Sequence, residues 1–183
     1  HDVRHHITLM KKYLEDKNYD ALNEYLNNYQ KSIPDEHIFF CENSAVNAIL
    51  SYFSGQARTF GITYTVSASI PKHISISETD LSILFGNLLE NAIDACNAQS
   101  GEDKKIIVRA KTDDHSLCVT IDNTFSGSLD IDQEGHFVSS KHEGLGLGTE
   151  SIKSIAEKYG GVCQFEANNG MFYASVMCFK DHA

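Results

Sequence analysis

Four polar side chains, Asn87, Glu90, Asn91 and Asp94, recur at i, i+3, i+4 and i+7. On a helix they would form a single stripe. A plain solvent face would look similar, but asparagine costs roughly several tenths of a kcal/mol relative to alanine inside a helix. Two asparagines one turn apart also offer neutral carbonyl oxygens, donors suited to a hard cation such as Mg²⁺. A second candidate is Ser139-Ser140-Lys141-His142-Glu143-Gly144-Leu145-Gly146-Leu147-Gly148-Thr149. Alternate glycines let backbone N–H groups approach phosphates, and the N-terminus of the helix that follows favours negative charge. Lys141 can add a point charge. No GK[ST] closes the run and no strand opens it, so it is neither a Walker loop nor a dinucleotide fingerprint. A third candidate is the strand end Val119-Thr120-Ile121-Asp122-Asn123-Thr124, and a fourth is the opening string His1-Asp2-Val3-Arg4-His5-His6.

Periodicity indicates the elements that must position these groups. Val3, Ile7, Met10 and Leu14, then Leu22, Tyr25, Leu26 and Tyr29, give two short amphipathic helices within residues 1–31. A hairpin of this size cannot bury both stripes alone. Either two copies form a four-helix bundle, or the hairpin packs on its own C-terminal domain. Ser32-Ile33-Pro34-Asp35 marks a linker, which divides the chain into 1–35 and 36–183. Beyond it the spacing predicts a helix from Ser44 to Phe60 and a strand over Ile62–Ala68. Ser77-Glu78-Thr79-Asp80 has capping-box spacing and opens a long helix to about Ala98, with Leu81, Leu84, Phe85, Leu88, Leu89, Ala92 and Cys96 as its buried face. Strands follow at Lys105–Lys111 and Leu117–Ile121, a polar stretch over 123–143, and a helix from about Thr149 to Tyr159. Two closing strands, Val162–Ala167 and Met171–Phe179, are joined by Asn168-Asn169-Gly170, a hairpin signal. Strands that do not strictly alternate with helices suggest an α+β, two-layer sandwich behind a short helical hairpin.

Composition narrows the function classes. A formal charge of −10 over 183 residues argues against nucleic-acid binding, which needs a basic face. The five cysteines form no CxxC pair and read as reduced core residues. No apolar run approaches the ~18–20 residues of a membrane span, and no signal peptide is evident. The chain opens without Met on a charged, His-rich string, as a fragment with a missing upstream portion would.

Helix with paired asparagines, strand ending in an acid or amide, glycine-rich helix start: this order resembles the N, G1 and G2 boxes of the GHKL ATPases. That superfamily includes histidine kinases, gyrase-type topoisomerases, Hsp90 chaperones and mismatch-repair ATPases. The resemblance covers residues 40–180 and implies the GHKL (Bergerat) fold, with ATP held against the sandwich under a mobile lid. The opening segment resembles the phosphoacceptor box of histidine kinases. Its likeness is strongest to the peptide-responsive quorum-sensing type, with a compact hairpin like that of the sporulation phosphotransferases. His1, Asp2, Ile7, Leu9 and Met10 fit that frame, and His5 stands where Asn is usual. His142 likewise replaces the glycine that usually begins the G2 box.

The resemblance implies a catalytic ATP-binding domain at 36–183 and a dimerisation and phosphotransfer hairpin at 1–35. Asn87 and Asn91 would bind Mg²⁺ on the ATP phosphates, with Asp94 on the same stripe. Gly144, Leu145, Gly146, Leu147, Gly148 and Thr149 would line the phosphates, closed by Lys141. His1 would take the γ-phosphoryl group, with His5 as a rival acceptor, Asp2 would accept its proton, and Glu90 is a further candidate base. The group would then pass to an aspartate of a cognate response regulator. Membrane attachment would come only through the missing upstream sensor, leaving this portion cytoplasmic in a bacterial cell.

For adenine, the family's G1 aspartate follows aliphatic residues two and four positions earlier and precedes a glycine four positions later. Ile121, Val119 and Gly127 satisfy that spacing from Asn123, whereas Asp122 would need Thr120, Cys118 and Ser126. Strand parity thus favours Asn123, since a one-residue slip reverses the faces. Two other readings use the same motifs. One is a GHKL protein that only hydrolyses ATP; the other is a scaffold whose degenerate ATPase domain no longer binds it.

Overall fold

The computed structural model describes residues 2–31, 38–101, 103–126 and 147–179, the side chains of 2–5, 27–31 and 147 excepted. The chain divides into two compact units, His1–His37 and Ile38–Ala183. The first is a pair of short helices, α1 (Asp2–Glu15) and α2 (Tyr19–Lys31). Lys17, at φ 52, turns the chain between them. Tyr25 ties the pair together: its hydroxyl hydrogen-bonds His6 Nδ1, and its ring lies 6.0 Å from that of Tyr13. Ile7 and Leu14, from the expected apolar stripe, stay exposed.

The second unit is a two-layer sandwich. Its strands are β1 (Thr63–Ser69), β2 (Lys105–Thr112), β3 (Ser116–Thr124), β4 (Val162–Asn168) and β5 (Met171–Phe179), in the order β1-β2-β3-β5-β4. Among the described residues only β1 and β2 run parallel, and the long helix α4 (Glu78–Ala98) makes the crossover that such a pair requires. The β4–β5 connection is the two-residue hairpin turn Asn169-Gly170, both at positive φ. Three helices make the second layer. α3 (Ser44–Thr59) packs near β1, α4 lies over β2 and β3, and α5 (Leu147–Lys158) covers β4 and β5. The core between the layers holds Leu81, Leu84, Phe85, Leu88 and Leu89 of α4 against Ile106, Val108, Val119 and Ile121, all at most 3% exposed. Among the described residues no helix is long and apolar enough to cross a membrane.

Helix ends follow local chemistry. Asn43 and Ser77 cap α3 and α4 by accepting from the backbone N–H three residues on. Gly61 and Gly160 adopt φ 65 and 62 just past α3 and α5. There the paired 6→1 and 5→2 bonds of a Schellman motif form, Gly161 N–H donating to Ala156 O and Gly160 N–H to Glu157 O in α5.

Four sequence expectations are corrected. β1 begins at Thr63 and not Ile62, whose N–H is used in the α3 cap. β3 extends three residues beyond Ile121, because Asp122, Asn123 and Thr124 are paired to β5 at Tyr173, Phe172 and Met171. α5 starts at Leu147 and not Thr149.

The fourth correction concerns the capping box, which is only half made. Asp80 does not reach back to the Ser77 N–H, which donates instead to Tyr159 Oη at 3.1 Å. The Asp80 carboxylate accepts from Lys158 Nζ (2.7 Å), Ser77 Oγ (2.6 Å) and Tyr159 Oη (2.6 Å). A tertiary clamp thus pins the end of α5 to the start of α4.

Lys158, then the Ser77 and Tyr159 hydroxyls, holds the Asp80 carboxyl down to about 2 from its ordinary 3.8. A depressed carboxyl stabilises the fold above its unfolded value, and that contribution disappears as pH falls through the folded value. Asp80→Asn should therefore cost on the order of 1–2 kcal/mol at neutral pH, allowing for the exposed ammonium. It should also flatten the loss of stability between about pH 4 and pH 2. Urea unfolding against pH measures both, and an acid limb unchanged by the substitution would refute the assignment.

Candidate nucleotide-binding site

Antiparallel packing of α5 on α4 builds the site. The Asp80 clamp sets one end of this contact. Gly148, ten residues before Lys158 and thus about 15 Å up the helix, meets the polar stripe of α4 at the other. An added Cβ on Gly148 would stand 3.2 Å from Asn87 Oδ1, 3.5 Å from Asn91 Oδ1 and 3.6 Å from Asn91 Nδ2. Asn87 is half-buried and donates from Nδ2 to Ile83 O at 2.9 Å, whereas Asn91 is exposed. Further along the stripe Glu90 is exposed and Asp94 half-buried.

Leu147, Gly148 and Thr149 form the first turn of α5, whose leading N–H groups have no partner within the helix. Uncharged amide oxygens are of the chemical type that suits a hard cation, and the N–H groups of a helix N-terminus are of the type that suits anionic oxygens. Among the described residues no group of three or more His, Cys, Asp or Glu converges.

The far end of α4 approaches the end of β3. Cys96 Sγ sits 3.4 Å from Thr124 O, and the adjoining Asn123 is 2% exposed. Asn123 shares its sheet face with Val119 and Ile121, opposite Ile106 of β2 and Phe172 of β5. Its Nδ2 donates to Thr124 O at 3.0 Å. Asp122 faces the other way, where Arg109 Nη1 holds its carboxylate at 2.6 Å.

Burial raises the thiols of Cys41, Cys96, Cys163 and Cys178, the last to about 11. All five cysteines are free. A protonated thiol is a poor nucleophile or metal ligand, so these four offer little chemistry at neutral pH.

Lys141, Gly144, Leu145 and Gly146 lie outside the described residues, as does His1, while Asp2 opens α1. Sequence reasoning missed Asp80, Lys158 and Tyr159 as the groups that seat α5. Their partners lie 78 and 79 residues apart, and the Ser77–Asp80 spacing suggested only a local cap.

The family model for the GHKL domain matches residues 76–178, from the start of α4 to the end of β5. A Bacillus subtilis protein described as "Probable C4-dicarboxylate sensor kinase" is 25% identical over 138 residues, 70% of this chain. The chain spans about a quarter of that relative's length (25%).

Among solved structures, the nucleotide-free catalytic domain of the histidine kinase ThkA superposes with a TM-score of 0.58 at 21% identity, covering 75% of this chain and 92% of that one. ThkA in complex with the response regulator protein TrrA gives a TM-score of 0.54 at 18% identity, covering 98% and 59%. The sandwich is therefore the fold of histidine kinase catalytic domains.

Proposed function

Because this chain belongs to the GHKL domain family, we propose that it is the ATP-binding and autophosphorylating part of a bacterial sensor histidine kinase. The observation that carries this reading is the seating of Gly148 on Asn87 and Asn91, which brings hard oxygen donors to a helix N-terminus. Mg²⁺, when bound, would neutralise charge on the ATP phosphates.

The chain's own residues then hold and orient the nucleotide. Asn87 and Asn91 supply the metal's amide oxygens, with Asp94 behind them on the stripe. Gly144, Leu145, Gly146 and the amides of Leu147, Gly148 and Thr149 hold the phosphates, and Lys141 closes over them. His1 attacks the γ-phosphorus through a neutral imidazole nitrogen, and as the P–N bond forms the bond from the γ-phosphorus to the bridging oxygen breaks, so that ADP leaves. Asp2, or alternatively Glu90, takes the proton that the imidazole loses. A response-regulator aspartate receives the group next, by analogy with ThkA and its regulator. Residues 1–35 serve as the phosphotransfer hairpin and 36–183 as the catalytic domain. The protein would be anchored to the membrane through an upstream sensor, with this part in the cytoplasm. The fit of His1, Asp2, Ile7, Leu9 and Met10 to the phosphoacceptor frame favours the quorum-sensing branch.

Incubation with γ-labelled ATP tests the whole reading. The label should be acid-labile and base-stable, and it should vanish in His1→Gln. An acid-stable label, or no label despite ATP binding, would reject kinase activity.

For adenine, Asn123 accepts the exocyclic amino group's hydrogen bond through its side-chain oxygen. Asn123→Ala should weaken ATP binding by roughly 1–3 kcal/mol, while Asp122→Ala, on the opposite face, leaves it unchanged. Calorimetric titration of both variants decides, and the reverse ranking would show the register to be wrong.

The hairpin pairs with a second copy. Its exposed Ile7 and Leu14 (48% and 52%) would be covered in a four-helix bundle. Charged residues at Ile7 and Met10 should yield monomers in sedimentation that still bind ATP; dimers that survive would place the interface elsewhere.

A further inference from the structure

Gly148 is a glycine that its own backbone does not require. It lies in the first turn of α5 without a positive φ, and glycine lowers helix stability relative to alanine. The space around it supplies a reason. A Cβ there would come within 3.2 Å of Asn87 Oδ1 and within 3.5 Å of Asn91 Oδ1, the first closer than ordinary van der Waals contact. The helix cannot easily lift away to relieve this, because Lys158 and Tyr159 fasten its other end to Asp80 at 2.7 and 2.6 Å. Strain from a methyl group would instead fall on the asparagine side chains. Asn87 has little room to yield while its Nδ2 is bonded to Ile83 O.

We propose that Gly148 is a positioning residue: by lacking a side chain, it lets α5 close on Asn87 and Asn91 and fixes the amide oxygens that receive the metal of Mg·ATP. This rests on the nucleotide-binding reading above and assigns Gly148 a separate role within it. The glycine acts on the asparagines and not on the phosphates alone.

The test is a Mg²⁺ titration of the full chain with a non-hydrolysable ATP analogue, alongside thermal unfolding. Gly148→Ala should raise the Mg²⁺ concentration for half-saturation by about tenfold, as when a metal ligand loses its support. Its melting temperature should stay within about 2 °C of wild type, since alanine's advantage in a helix offsets the strain on the asparagines. In an Asn87→Ala background the same substitution should change half-saturation less than twofold, the signature of coupling between touching residues. A Mg²⁺ dependence equal to wild type, an undiminished effect without Asn87, or a drop in melting temperature larger than about 2 °C would each overturn the proposal. If Asn91→Ala loses the metal while Gly148→Ala does not, only the role of Gly148 fails. If wild type itself binds no analogue, the nucleotide reading fails and this proposal with it.

Discussion

Asn91→Ala should abolish the Mg²⁺-dependent part of ATP affinity, a loss of at least about 100-fold given that even outer-shell changes cost 10–100-fold. The side chain is exposed and adjoins Gly148 at the start of α5. Little else in the fold depends on it. The melting temperature should therefore stay near that of wild type, or rise slightly, because alanine is the better helix former. Asn87→Ala should be milder, since half of that amide is already committed to Ile83 O. Calorimetric titration of ATP with and without Mg²⁺ separates the metal-dependent term from the rest. Equal affinities in wild type and both variants would return the stripe to an ordinary solvent face.

The largest effect on stability is expected at Gly161, a position with no part in the proposed chemistry. An added Cβ would lie 1.8 Å from Met177 O, 2.7 Å from Met177 C and 3.0 Å from Cys178 Cα. All three atoms belong to the backbone of β5, so no rotamer change can make room. That backbone is held on both sides, by β3 and by β4, while the Gly161 N–H is fixed to Ala156 O at 2.8 Å. Gly161→Ala must break the α5 cap or push β5 out of register. A cost of about 4 kcal/mol or more follows, in the range reserved for severe overpacking. For a chain of this size that corresponds to about 10 °C or more in melting temperature. Gly160→Ala, which must merely hold φ 62, should cost only about 1 kcal/mol. Thermal unfolding of the two variants should rank them in that order. A Gly161→Ala protein melting within about 2 °C of wild type would mean that β5 yields far more readily than a central paired strand should.

Local chemistry was legible in the sequence. The period of the apolar residues located α4 and its buried face, Ser77 identified its start, and Asn169-Gly170 identified the last hairpin. Each of these depends on residues within a turn or two of one another, so no knowledge of the rest of the chain was needed. Strand parity likewise separated Asn123 from Asp122, because a period of two assigns every side chain to a face. The GHKL likeness came from the order of three motifs, and the family match over 76–178 agrees with it.

Boundaries were less legible, because pairing and packing extend elements beyond their propensity. β3 runs through Thr124 because β5 pairs with it there. Only the tertiary structure decided how the site closes. Nothing in the spacing of Asp80, Lys158 and Tyr159 announces that they share one carboxylate oxygen. Nor does the sequence distinguish Gly148, set against two asparagines, from the glycines before it. Hydrophobic burial is non-directional and can bring two helices together in many relative positions. The hydrogen-bonded clamp at one end and the missing Cβ at the other select the one that closes α5 on Asn87 and Asn91.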